Sequence, residues 1–358
     1  MFFIVAYSLI FAEIFVRVFH PVPLMPRYVT GAPYGIRMNI PHSQYWQTTP
    51  ETRVQLRINS HGIRSDREIS YQKPENQCRI LLLGDSYLVG YEVDIQESFA
   101  YLLEQKLKQA NYACEVVNLA VSGFGTAEML VALEQEGLKY QPDIVIMQWH
   151  STDWDDNVRA GLYKLDKNQQ LVRLATTYLP AIKISDWLTQ FSVYRWLIEN
   201  SHFYSAIRET VAENIKTLLV TLRQTKVKKT PETTDEDNFS TAPTDKKPYP
   251  QLLSEKLLQA AQQMSQNHHA QFAVLEIPDR RSRVLFRSHL AKFDPSLQAQ
   301  LPMWSPVATF TQAADPAQKL YFEKGHFHLT PLGNHLLTEY FWSELQKTGW
   351  LEKFKMVH

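Results

Sequence analysis

The stretch Arg79-Ile-Leu-Leu-Leu-Gly-Asp-Ser86 decides the fold. Its apolar residues, Ile80 to Leu83, form an unbroken run that ends at Gly84. A run without alternation suits a strand buried on both faces of a parallel sheet. Gly84 permits a sharp turn at the strand's carboxyl end, where the Ser86 hydroxyl would be presented instead of packed. Open α/β sheets place their ligand chemistry at that edge.

The pattern repeats outward from this stretch. Glu115-Val-Val-Asn-Leu reads as a second strand and leads into Asn118-Leu-Ala-Val-Ser-Gly123. Asp143-Ile-Val-Ile-Met-Gln-Trp149 reads as a third and opens into Ser151-Thr152-Asp153; Phe272-Ala-Val-Leu-Glu-Ile277 reads as a fourth. Between and after them, apolar residues recur at helical spacing: Phe99, Leu103 and Leu107, then Met129, Leu130 and Leu133, and finally Leu332, Leu336, Leu337 and Phe341. Alternation of this kind predicts a three-layer α/β/α sandwich with a mainly parallel sheet of roughly five strands and right-handed crossovers.

Near the C-terminus lies His326-Phe-His328-Leu-Thr-Pro-Leu-Gly333. A Gly-Asp-Ser block, a glycine block at Gly123, a polar block at Thr152 and this late histidine block resemble, in that order, the SGNH (GDSL-type) hydrolases over residues 55 to 345. Asn59-Ser-His-Gly-Ile-Arg64 is similar to a segment that precedes the serine in bacterial membrane-linked members. The resemblance implies a flavodoxin-like fold and serine-dependent hydrolysis of an O-acyl ester, plausibly on a cell-surface glycan or lipid. A weakly active or non-catalytic accessory protein of envelope polysaccharide modification, and an O-acyltransferase, are the other readings.

Acyl transfer needs a nucleophile, a base, an orienting acid and oxyanion donors. Ser86 is the candidate nucleophile, and its backbone N–H and that of Gly123 are candidate oxyanion donors. The family's third donor is an asparagine side chain; the matching position is Thr152, whose hydroxyl has a shorter reach. His328 is the candidate base. The family's acid precedes it by two or three residues, but His326 and Gly325 stand there. Three replacements remain open: Glu323 from further back, a Glu323–His326 pair with His326 as the alternative base, or a backbone carbonyl. His61 reads as part of a turn built on Gly62, and Asp153, Asp155 and Asp156 as a solvated or helix-capping cluster. His326-x-His328 lacks a third ligand nearby in sequence, so neither metal nor cofactor is expected.

Among the 358 residues, Lys+Arg and Asp+Glu are equal at 37, which argues against a general nucleic-acid binder. Residues 1–20 are apolar apart from Ser8, Glu13, Arg17 and His20, and read as a membrane anchor or an N-terminal hydrophobic helix. Arg17, Arg27 and Arg37 all follow this segment, which taken literally keeps the body inside, whereas the membrane-linked relatives imply a body facing the periplasm or cell exterior. Residues 21–75 form a β/loop extension and 76–348 the hydrolase-like domain. An insertion at 158–250 carries an aromatic stripe (Trp187, Phe191, Tyr194, Trp196, Phe203) expected to be core, with a lid or acyl-binding wall as the alternative, and a polar loop at 226–250 expected to be disordered. Cys78 and Cys114 precede the first two strands at matched offsets, so their Cα atoms should lie within about 7 Å, close enough for a bridge. Nothing in the sequence sets the oligomeric state.

Overall fold

A computed structural model describes residues 2–174, 179–211, 214, 218 and 247–356. Helix α1 (Phe2–Phe19) precedes two antiparallel ribbons, β1–β2 (Val29–Gly31, Arg37–Asn39) and β3–β4 (Gln44–Thr48, Arg53–Arg57). The α/β body follows as β5 (Cys78–Leu83), α2 (Ser86–Val89), α3 (Phe99–Gln109), β6 (Cys114–Asn118), α4 (Thr126–Gln135), β7 (Ile144–Trp149) and α5 (Asp153–Ala160). A hairpin, β8–β9 (Tyr163–Leu165, Leu171–Arg173), and helices α6 (Leu179–Leu188), α7 (Ser192–Asn200) and α8 (202–211) make up the described part of the insertion. The body resumes with α9 (Tyr249–Asn267), β10 (Gln271–Glu276), the short pair β11–β12 (Asp279–Arg280, Phe286–Arg287), α10 (Pro295–Gln300), β13 (Met303–Trp304), α11 (Val307–Gln312) and α12 (Pro331–Thr348).

The central sheet has five strands in the order β13-β10-β7-β5-β6, and every pairing is parallel. Alternate residues of the apolar runs feed two cores. Leu81, Leu83, Val117, Val145 and Met147 pack with α4 and α9; Ile80, Leu82, Val116, Ile144 and Ile146 pack with α3 and α12. Each fully buried aliphatic contributes about 1.5–3 kcal/mol, and burial on both faces is why the runs show no polar alternation. Because the chain goes from β5 to β6 on one side and then crosses to β7 on the other, the carboxyl end of β5 is the topological switch point, where Ser86 stands.

Several expectations need correcting. Trp187, Phe191 and Trp196 are not core: they are 56%, 50% and 58% exposed. The insertion's helices lie outside the two-sided sheet, so helical spacing marked an apolar stripe without a covering layer. The segment 226–250 lies outside the described residues up to 246, and its end, Tyr249 and Pro250, begins α9. Among the described residues no helix is long and apolar enough to cross a membrane. The two charged residues of α1 lie in its second half and are engaged by the insertion. Glu13 accepts hydrogen bonds from Ser201 Oγ (2.7 Å) and from the His202 and Phe203 N–H groups, and Arg17 donates to the Asn200 carbonyl. The helix is thereby tied to the insertion, with the eleven residues 2–12, roughly 16 Å, ahead of Glu13.

Cys78 and Cys114 sit directly opposite each other on β5 and β6 and are joined by a disulfide, with Cα atoms 4.4 Å apart. The bridge closes a loop spanning 36 residues of sequence. Loop-closure entropy assigns such a bridge about 2–4 kcal/mol. A Cys78→Ala/Cys114→Ala double variant is expected to lose that amount in urea unfolding, with dithiothreitol reproducing the loss in the wild type and leaving the double variant unchanged.

Candidate active site

Gly84 permits the turn after β5 because a Cβ there would meet Gln148 Oε1 at 2.6 Å and Leu88 Cδ1 at 2.9 Å. Gln148, on β7, uses that oxygen to accept from the Asp85 N–H at 3.1 Å. The Asp85 carboxylate caps the next turn, accepting from the Tyr87 N–H at 2.8 Å. Burial raises the Asp85 carboxyl above its ordinary value, while the Tyr87 amide and the nearby imidazoles of His150 and His328 pull the other way. Ser86 thus opens α2 with a backbone fixed on both sides.

His328 Nε2 lies 2.8 Å from Ser86 Oγ. Thr330 caps α12, accepting from the Gly333 N–H, and Pro331 is the helix's first residue, so the histidine loop crosses the carboxyl edge just before the helix starts. The His328 carbonyl also accepts from the Phe322 N–H at 2.9 Å, which fixes its backbone.

The carboxylate on the other face of the ring is Glu92. His328 Nδ1 is 2.8 Å from Glu92 Oε2, and the side chain of Glu92 is fully buried. Burial alone would raise this carboxyl; the hydrogen bond and charge of His328, with a further contribution from His326, outweigh it and hold the group below its ordinary value. Glu323, the sequence candidate, is engaged elsewhere: it pairs with Arg283 (2.5 and 2.7 Å) and Lys319 (3.2 Å). Gly325 stands where the resemblance implies an acid, and it lies against this carboxylate. A Cβ on Gly325 would overlap Glu92 Oε1. The glycine vacates the space that the relocated carboxylate fills.

The loop that carries Glu92 is strained and clamped. Glu92 itself has φ +71°. Arg64, from the Asn59–Arg64 segment, is buried and donates to the carbonyls of Val89, Gly90 and Val93, on both sides of Glu92. Desolvation lowers the Arg64 guanidinium to about 10, still far above neutrality. His61 takes no part in this: it stacks on Tyr71 and bonds the Tyr140 hydroxyl at 2.9 Å, beside the Gly62 turn.

His326 does not point away from the site as an extended chain would require. Phe327 takes φ +59°, a turn that brings the two imidazoles to 5.9 Å. The left-handed conformation is costly for an aromatic residue, and Phe327 is 53% exposed at the rim, with the Arg280 guanidinium over its ring.

Gly123 follows β6 in the next loop, anchored to the nucleophile turn by the Val121 N–H donating to the Gly84 carbonyl at 3.0 Å. Thr152 caps α5 after β7, and its Oγ1 lies 3.0 Å from His150 Nδ1. His150 Nε2 lies 3.0 Å from Asp279, which also accepts from Ser151 Oγ (2.5 Å) and His289 Nε2 (2.7 Å). Those donors outweigh the burial that would raise the Asp279 carboxyl and hold it well below the usual range. Tyr87 lies between the rings of His150 and His328, at 5.3 and 5.4 Å. The carboxyl edge therefore carries Gly123, Ser86, Thr152 and Asp279 in strand order β6, β5, β7, β10. Asp153 is not solvated: it is fully buried, accepts from Thr126 Oγ1 at 2.9 Å, and burial raises its carboxyl well above the ordinary value. Among the described residues no cluster of His, Cys, Asp and Glu could hold a metal ion.

The parallel sheet, with Gly123, Ser86, Thr152 and His328 brought to its carboxyl edge, resembles the arrangement of the SGNH (GDSL-type) hydrolases. No family profile matches the chain. A stretch of 75 residues is 32% identical to an arylesterase of Vibrio mimicus; it covers 21% of this chain and 38% of that relative's length. Among solved structures the SGNH-like body is similar to TesA (14% identity, 75% of this chain and 98% of that one, TM-score 0.40). It is similar also to the esterase EstA of a Pseudoalteromonas species (13% identity, 75% and 97%, TM-score 0.38) and to an acetyl xylan esterase, AlAXEase (12% identity, 75% and 99%, TM-score 0.38). Roles at this SGNH-like site are read from its own geometry.

Sequence reasoning missed Glu92, Arg64, His150 and Asp279. The one available signal for Glu92 was negative: a glycine standing where an acid belongs.

The first expected outcome concerns the acid. Glu92→Ala should lower kcat by about 10³-fold or more, since the imidazole loses its orienting partner. Gly325→Asp alone should also impair the enzyme, because it collides with Glu92 Oε1. Combined with Glu92→Ala it should recover part of the rate, read by hydrolysis of a 4-nitrophenyl ester.

A second concerns Glu128 on α4, which accepts from the Gly125 N–H at 3.0 Å. Burial lifts its carboxyl from 4.5 to about 7, against the charges of Arg37 and Arg159. The folded state holds this proton more tightly than the unfolded chain does. Its contribution is therefore fully present below pH 4.5 and lost as pH rises through 7. Glu128→Gln keeps the acceptor without the charge. It should raise stability at pH 8 by on the order of 2–3 kcal/mol and change little at pH 4.

Proposed function

We propose that the protein is a serine-dependent carboxylic ester hydrolase that works through an acyl-enzyme on Ser86. The observation that carries this reading is the line Ser86 Oγ, His328 Nε2, His328 Nδ1, Glu92 Oε2, with both contacts at 2.8 Å. Ser86 Oγ attacks the ester carbonyl carbon while His328 Nε2 takes its proton. The buried Glu92 carboxylate keeps the Nδ1 hydrogen in place and stabilises the imidazolium that forms. The carbonyl oxygen, now negative, faces the backbone N–H groups of Ser86 and Gly123 and the Thr152 hydroxyl. As the C–O bond breaks, His328 returns the proton to the leaving alcohol. Water then repeats the sequence on the acyl-serine and frees the carboxylic acid.

The substrate class we favour is an O-acyl ester of a cell-surface glycan or lipid. What supports it is the position of the half-buried Ser86 at the carboxyl edge of the sheet, where it can meet an ester carried on a larger molecule. The apolar, exposed α1 supports peripheral contact with a lipid surface. The case for a non-catalytic binding protein rests on the absent asparagine and the absent acid; Glu92 stands in for the acid, and Thr152 remains at the asparagine's position.

Full-length wild type is expected to hydrolyse 4-nitrophenyl acetate, and Ser86→Ala and His328→Ala to reduce kcat/KM to the background level. His326→Ala should cost less than tenfold. Full loss in His326→Ala with activity kept in His328→Ala would exchange their roles. No turnover of acetyl to octanoyl esters, with no labelling of Ser86 by a fluorophosphonate, would sink the esterase reading.

A further inference from the structure

The turn that carries Gly123 is held from outside the α/β body. Val121 to Phe124 close a four-residue turn, in which the Phe124 N–H donates to the Val121 carbonyl at 3.1 Å. Gly123 occupies the third position at φ +73°. A type II turn demands a positive φ there, and glycine adopts it at no steric cost. The N–H of the third residue is not used by the turn's own hydrogen bond, so it is free to serve an oxyanion. The competing type I form is reached by flipping the central peptide, and a flip would redirect that N–H. Glycine accepts both forms, so its presence does not choose between them.

The peptide that follows the flipping one, Gly123–Phe124, is held by the N-terminal ribbon, which fixes where Gly123 stands. Arg37 on β2 donates through Nη2 to the Gly123 carbonyl at 2.5 Å. The fit is close: a Cβ on Gly123 would lie 3.0 Å from Nη2 and 3.2 Å from Nη1 of Arg37. Asn39, two residues along the same strand and so on the same face, donates through Nδ2 to the Ala120 carbonyl at 3.1 Å and to the Gly62 carbonyl at 2.9 Å. Strand β2 thus grips the loop just before Val121 and again at Gly123. A hydrogen bond from a charged donor is about twice as strong as a neutral one, which suits Arg37 to fixing the Gly123 carbonyl and with it the position of the turn.

We propose that Arg37 is a positioning residue for the Gly123 oxyanion donor, so that the ribbon at 29–39 is a working part of the active site and not a spacer. This rests on the reading of Ser86 as the nucleophile of an ester hydrolase. Arg37 touches no reacting atom; it acts through the Gly123 carbonyl.

The test uses the full-length chain. Loss of an oxyanion donor costs about 10²–10³ in rate, and displacement of one that keeps part of its reach should cost about 10–10². Arg37→Ala is therefore expected to lower kcat for 4-nitrophenyl acetate by that smaller factor with KM within threefold. Arg37→Lys, which keeps one charged donor, should recover part of the loss. Phenylboronic acid, whose tetrahedral adduct on Ser86 directs an oxygen to the same N–H groups, should bind Arg37→Ala more weakly by a factor similar to the loss in kcat. Arg57→Ala, on the exposed side of β4, should leave kcat unchanged. If folded Arg37→Ala keeps kcat within twofold, or loses kcat while binding the boronic acid as tightly as wild type, the inference is overturned and the esterase reading stands. Should Arg37→Ala fail to fold, Arg37→Met, which keeps the aliphatic bulk and removes the donor, decides in its place: wild-type kcat together with wild-type boronic acid affinity overturns the inference, and a joint fall in both supports it. A wild type that turns over no ester and resists fluorophosphonate removes both.

Discussion

The contact between Glu92 and His328 constrains the rest of the site. A carboxylate with no exposure costs several kcal/mol unless it is paired and hydrogen-bonded, and here the imidazole is its partner, through the ring at 2.8 Å and the backbone N–H at 3.4 Å. Several otherwise odd features answer to that pairing. Gly325 has no side chain because the second carboxylate oxygen needs its space. Glu92 sits at φ +71° and Phe327 at φ +59°, both outside the usual range for their types. Strain of this kind persists only where neighbours over-determine the backbone, and the buried Arg64 does so for the Glu92 loop.

The extension at 21–75 then takes on a different character. It adds no strand to the central sheet. Yet Arg64 frames the Glu92 loop, Arg37 holds the turn at Gly123, and Asn39 ties the same turn to Gly62. The sheet supplies rigid strand ends for Ser86, Gly123 and Thr152; the extension fixes the loops that leave those ends. An edge built only from the parallel sheet would present the same residues on less constrained backbone.

What was legible in the sequence was whatever depends on local pattern. Unbroken apolar runs gave the parallel strands, matched offsets gave the Cys78–Cys114 pair, and Pro331 after the histidine block gave the start of the last helix. What was not legible depends on contacts between distant segments. Glu92 and His328 are 236 residues apart, and no spacing rule connects them. The turn at Phe327 was hidden because an aromatic residue is a poor candidate for a positive φ. The stripe at Trp187, Phe191 and Trp196 shows a further boundary: periodicity reports that a helix has an apolar face, and not which body covers it. Burial of Asp153 was likewise unreadable, since a carboxylate beside two others suggests solvent until a hydroxyl such as that of Thr126 is found against it.

Thr152 stands where the resemblance implies an asparagine donor, and in the proposed reaction its contacts limit what it can give. Asp279, as a carboxylate, only accepts, so the hydrogens in its contacts come from His150 Nε2, His289 Nε2 and Ser151 Oγ. A second hydrogen on His289 would be buried at Nδ1 with no receiver among the described residues. With the His150 hydrogen committed to Asp279, His150 Nδ1 is an acceptor, and two donors face it: the Thr152 hydroxyl at 3.0 Å and the Thr152 N–H at 3.4 Å. When charge develops on the substrate oxygen, the hydroxyl can rotate toward it while the backbone N–H takes over at Nδ1. An asparagine amide carries two hydrogens and needs no such exchange. In the proposed reaction the threonine would serve as a donor only by giving up its bond to His150, which leaves the larger share of the oxyanion's stabilisation to Gly123 and the loop that orients it.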